Sequence, residues 1–105
     1  MSNQFKTSMI ALKVHKSGQG TVVGACDAEL VGKRFEEGEL CLELRASFYE
    51  GERVDRRLFL EVLALATIAN LAGEEAVGAA VEAGLVDPEC VIRIGGVPHA
   101  QLVRM

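Results

Sequence analysis

Apolar and polar positions alternate over residues 9–16, with Ile10, Leu12 and Val14 on one side and Ala11, Lys13 and His15 on the other. Period two predicts a half-buried strand. Ser17-Gly18-Gln19-Gly20 carries hairpin turn chemistry, and a second strand follows over 21–26. Gly24 within that strand marks a bulge or a close approach of another backbone. Asp27 suits the N-cap of a short helix over 27–33. Alternation returns over 39–49, with Leu40, Leu42 and Leu44 inward, and either continues as one strand or bends into another. Asp55 then opens a helix expected over 56–70, whose side chains are apolar on nearly the whole circumference. A helix of that kind is buried on more than one side, by the rest of the chain or by a second subunit. Gly73 breaks the run, a second helix is expected over 74–83, and Gly84 with Asp87-Pro88 ends it. Strands over 90–94 and 100–104, joined by Gly95-Gly96-Val97-Pro98, complete the chain.

The order β-β-α-β(-β)-α-α-β-β predicts an α+β (mixed α/β) fold. One mainly antiparallel or mixed sheet would be packed by a central apolar helix and a second short helix. Residues 9–105 form the single domain, and residues 1–8 are expected to be a polar, disordered extension. At 105 residues with five aromatics and no Trp, the core must be aliphatic and closely packed. Self-association through the apolar helix surface would support so small a core.

Charge and cysteine count narrow the classes. The net charge of −4 disfavours a generic electrostatic nucleic-acid binder. Residues 1–34 nonetheless hold five basic and two acidic residues, and Lys13, Lys16, Lys33 and Arg34 are the cations least diluted by acids. With Phe35 and Tyr49 nearby they would form the nucleic-acid face. Three cysteines without CxxC spacing make no closed disulfide framework and fit a reduced, cytoplasmic protein. The apolar run 58–72 carries Glu61, Thr67 and Asn70 and is shorter than a membrane span, so no membrane association is expected. No metal-ligand spacing, nucleotide loop or hydrolase motif is present, and neither metal nor cofactor is expected.

Three places could carry chemistry. Ile94-Gly95-Gly96-Val97-Pro98-His99-Ala100-Gln101 pairs glycines able to offer bare N–H groups with an imidazole held behind a proline. It reads either as a binding or proton-transfer loop or as a tight strand connection with His99 as a structural hydrogen-bonder. Thr67 and Asn70, three apart on the expected helix, would be neighbours needing hydrogen-bond partners. They would join Gly95, Gly96 and His99 in one ligand site if the loop packs there. Cys26, beside a helix start, could be activated, but Asp27 opposes this and an inert buried thiol is the better account.

Taken together, Val23-Gly24-Ala25-Cys26-Asp27, Leu30-Val31-Gly32-Lys33, Phe48-Tyr49-Glu50-Gly51, Ala66-Thr67-Ile68-Ala69-Asn70-Leu71 and the Gly-Gly-Val-Pro-His word resemble a small archaeal family of unknown function, number 424 among such domains. The likeness spans residues 9–105. It implies a stand-alone cytoplasmic protein connected with archaeal translation or RNA handling, and it assigns no catalytic residue. The expected function is a non-catalytic binding or adaptor module for RNA or a ribosome-associated protein. The alternative is a small metabolite-binding protein or enzyme using the Gly95–His99 site.

Overall fold

The computed structural model describes residues 9–18 and 20–104; the expected extension 1–8 lies outside the described residues. Strands β1 (Ile10–Ser17) and β2 (Gly20–Asp27) pair as the expected antiparallel hairpin. A 3-10 turn, Ala28–Leu30, replaces the helix expected over 27–33. The alternating stretch bends, giving β3 (Arg34–Glu37) and β4 (Leu40–Glu43) as a separate hairpin and then a one-turn helix, α1 (Ala46–Tyr49). β5 (Glu52–Val54) pairs with the start of β1.

The largest departure from expectation concerns the apolar run. Helix α2 covers only Arg56–Leu63, and Ile68–Ala72 is not helical but forms strand β6, placed inside the sheet. Asp55 is the N-cap as expected, its carboxylate accepting from Leu58 N at 2.9 Å. The last helical carbonyl, Leu63 O, and the Ala66 carbonyl in the turn beyond it accept from far along the chain. The Arg104 guanidinium donates to Leu63 O at 3.0 Å and to Ala66 O at 2.7 Å. Thr67 N then donates to Thr21 O at 2.9 Å and starts the pairing of β6 with β2. A short apolar run suits a buried strand as well as a helix, and the sheet on both sides of it decides here. The continuous apolar cylinder proposed as a dimer surface is therefore absent.

Helix α3 (Glu74–Glu82) follows, then β7 (Ile92–Ile94) and β8 (Val97–Val103). Gly95 and Gly96 join β7 to β8 at φ +58° and +85°, the left-handed conformations a two-residue hairpin requires. The six-stranded sheet has the order β5-β1-β2-β6-β8-β7, parallel between β2 and β6 and antiparallel elsewhere. The fold is a single α+β domain with a mixed sheet, as expected.

One sheet face buries Ile10, Leu12, Val23, Ala25, Leu71 and Leu102 against Phe59 and Leu63 of α2 and the alanines of α3. On the second face, among the described residues, the β3–β4 hairpin and α1 cover the end holding Ala11, Cys26, Ala72 and Ile94, and Phe48 of α1 extends that cover to Gly24 and His15. Gly24 supplies the close approach foreseen for it. A β-carbon there would meet the Phe48 ring and carbonyl at 2.6 Å, so only glycine lets α1 lie on the sheet.

Candidate functional site

Strand parity determines what the uncovered end of the second face displays. Asn70 of β6 stands opposite Gln101 of β8, and Ala72 stands opposite His99. Asn70, Gln101 and His99 therefore share one face, with Asn70 and His99 as diagonal neighbours. The Gln101 amide donates to Asn70 Oδ1 at 2.8 Å. His99 Nδ1 lies 2.9 Å from Leu71 O. A carbonyl only accepts, so Nδ1 carries a proton and donates it to Leu71 O. Around these polar groups stand Ile68, Ile92 and Val103, exposed to 36%, 46% and 61%. A groove of about 490 Å³ runs along β8, lined by Cys90, Ile92, His99, Ala100, Gln101 and Val103.

The remaining members of the expected ligand site lie elsewhere. Thr67 precedes the opposite end of β6 from Ala72, and its Oγ1 accepts from Thr21 N at 3.2 Å. Thr67 and Asn70 are not helical neighbours, because β6 replaces the helix. The Gly95 N–H does meet an anion, but it is the chain's own Glu37 carboxylate at 2.8 Å. That contact ties the β3–β4 hairpin to the β7–β8 turn. Gly96 offers its carbonyl to Arg93, whose guanidinium also bridges to Glu74. The structure thus joins Asn70 and His99, adds Gln101, and separates Thr67, Gly95 and Gly96 from them. Gln101 was missed as a partner of Asn70 because nothing local in sequence aligns β6 with β8.

The four cations do not gather either. Lys13 lies on the second face with its Nζ on Ser47 O at 3.0 Å, while Lys16, three residues on, is on the other face of β1. Lys33 precedes β3, and Arg34 is paired with Glu36 at 2.6 Å. His15, stacked on Phe48 with ring centroids 4.6 Å apart, donates from Nε2 to Phe48 O.

Asp27 has a role its sequence position conceals. The Ala28–Leu30 turn it was expected to cap takes no bond from its side chain. Instead its carboxylate accepts from Glu75 N at 3.0 Å and Ala76 N at 2.9 Å, capping α3 across space. The residue at the N-cap position is Gly73, at φ +106°, whose missing β-carbon leaves the room Asp27 fills. The signal in sequence was a helix opening on Gly-Glu-Glu with no capping side chain of its own. Burial pushes the Asp27 carboxyl above its ordinary value, against the pull of the two N–H donors.

Cys26 is fully buried, and burial, then the neighbouring Asp27 charge, push its thiol up to about 12. Cys41 and Cys90 are exposed. A thiol titration of the native protein is accordingly expected to count two groups, and three after denaturation. A third fast-reacting thiol in the native state would contradict the burial of Cys26.

Among the described residues no cluster of three or more metal-ligating side chains occurs, and no helix is long and apolar enough to cross a membrane. The profile of one family matches residues 3–105. The chain belongs to the DUF424 family of proteins of unknown function. This DUF424 chain is also similar to a solved structure, that of an uncharacterized conserved protein from the archaeon Methanopyrus kandleri. The TM-score is 0.76 at 26% identity, over 93% of this chain and 96% of that one. Comparison with curated proteins finds no match.

Proposed function

We propose that this DUF424 protein is a non-catalytic binding module that docks a protein partner on the uncovered end of its second sheet face. The observation that carries this reading is the composition of that end: Ile68, Ile92 and Val103 exposed around the Asn70–Gln101 pair and His99. Exposed apolar side chains gathered round a few oriented polar groups are the usual make-up of a protein contact surface. The polar groups are held by the chain itself, which favours recognition over chemistry. Separation of Gly95, Gly96 and Thr67 from His99 weighs against the metabolite-pocket alternative. A nucleic-acid face needs Lys13, Lys16, Lys33 and Arg34 to act together, and they are divided between the two faces of β1 and the β3 hairpin. The family resemblance points to the cytoplasmic translation apparatus of archaea as the place to seek the partner.

The test is co-sedimentation with archaeal ribosomal subunits and with protein-free ribosomal RNA over a salt series. Association with the subunits is expected to persist where binding to bare RNA has fallen away, and Ile68→Glu is expected to reduce it at least tenfold. Binding carried by RNA alone, insensitive to Ile68→Glu and lost when the four cations are neutralised, would overturn the reading. So would an absence of any association at low salt.

A further inference from the structure

Strand β8 is longer than the strand beside it. β7 pairs only with Val97, Pro98 and His99, and before Ile92 the chain turns off into the 3-10 turn Pro88–Cys90. Residues 100–103 therefore have β6 on one side and, among the described residues, nothing paired on the other. Main-chain bonds identify which groups are open. Gly73 N donates to Pro98 O, and Arg104 N donates to Thr67 O, so even-numbered residues of β8 address β6. Odd-numbered residues point away: Val97 and His99 meet β7, while Gln101 and Val103 direct an N–H and a C=O each into the groove.

We infer that a second copy of this chain pairs there, β8 antiparallel to β8 about a two-fold axis at Leu102, continuing the six-stranded sheet into a twelve-stranded one. Gln101 of each copy would then stand opposite Val103 of the other, and four main-chain hydrogen bonds would use all eight open groups. Three features favour this occupant. First, the edge lacks the usual guards against strand addition, since residues 100–103 include no charge and no proline. Arg104, the nearest cation, is turned inward onto Leu63 O and Ala66 O. The free stretch of β1 beyond β5, at the other edge, carries Lys13 and Lys16 by contrast. Second, a copy with net charge −4 can approach only where like charges do not meet, and no carboxylate lines the groove along β8. Third, the two-fold arrangement satisfies both open residues of both chains with no sequence beyond this one. An extended segment of an unrelated protein would need a matching register.

Sedimentation equilibrium tests this from micromolar to millimolar concentration. The wild type is expected to show a species of twice the 11.3 kDa chain mass. Val103 is exposed, so Val103→Lys leaves the fold intact by circular dichroism and is expected to weaken self-association at least tenfold. Val14→Lys, at an exposed residue on the β1 edge, is expected to leave association unchanged. Hydrogen exchange should slow at the Gln101 and Val103 amides as concentration rises. A wild type monomeric throughout, or a folded Val103→Lys that still dimerises, would overturn the inference. So would β8 amides protected only when another protein is added. Failure here is distinguishable from failure of the proposed docking surface, because Ile68→Glu is read by retention on subunits and Val103→Lys by mass.

Discussion

Replacing Asp27 by alanine is expected to destabilise the fold by about 3 kcal/mol, combining a lost cap with two helix N–H groups left without their acceptor, that of Ala76 in buried surroundings. Both carboxylate oxygens are engaged, on Glu75 N and Ala76 N, and Asp27 is itself buried. Asp27→Asn keeps an acceptor and is expected to lose less than half as much. The pair also separates hydrogen bonding from charge. Burial raises the folded carboxyl above its ordinary value of 3.8. Between 3.8 and that raised value the native state holds a proton that the unfolded chain has released. Unfolding there releases a proton, so stability from this group is full below 3.8 and falls as pH rises through the folded value. Denaturant midpoints measured over an acidic pH series should show this slope in the wild type and lose it in Asp27→Asn. An Asp27→Ala variant as stable as wild type would refute the cap.

Phe59→Ala is expected to cost more, about 3–5 kcal/mol, because the ring is fully enclosed between α2 and the sheet and its loss leaves a cavity. Its informative companion is Leu65→Ala. A continuous buried helix over 56–70 would enclose Leu65, and truncating it would cost about 2–5 kcal/mol. In the observed fold Leu65 sits in the turn after α2, 83% exposed, and its truncation is expected to change stability by no more than about 0.5 kcal/mol. Chemical unfolding of the two variants side by side decides where the helix ends. A large loss for Leu65→Ala would restore the long helix.

The contrast between residues 10–27 and 58–72 explains what could be read from sequence. In β1 the period is visible because Lys13 and His15 interleave with Leu12 and Val14, and the turn residues before Gly20 place β2, which is itself buried on both faces from Val23 to Asp27. In β6, Ala69, Leu71 and Ala72 are buried, and alternation survives only as Asn70. That erases the period and leaves a run that reads equally as helix. Helix α3 was legible because its ends carry local signals, acids in the first turn and Gly84 after the last. For the candidate site, His99 and Asn70 were singled out as polar residues in apolar words. Their shared face, and the exclusion of Thr67 and Gly95, depended on a strand where a helix was expected.

By itself the sequence determined the α+β class, the hairpins at the two ends of the chain, a helix opening at Glu74 and closing before Gly84, a bulge or close approach at Gly24, and the family. All of these rest on periodicity, turn residues or words spanning a few neighbouring positions. Only the tertiary structure decided where α2 stops, which helix Asp27 caps, what holds His99, and which stretch of β8 stays unpaired. The first three depend on a hydrogen-bond partner distant in the chain, 41 residues for Arg104 on Leu63 and 49 for Asp27 on Ala76, and the last on where β7 meets β8. A buried polar group must find its partner wherever packing puts one, and packing is a property of the whole sheet.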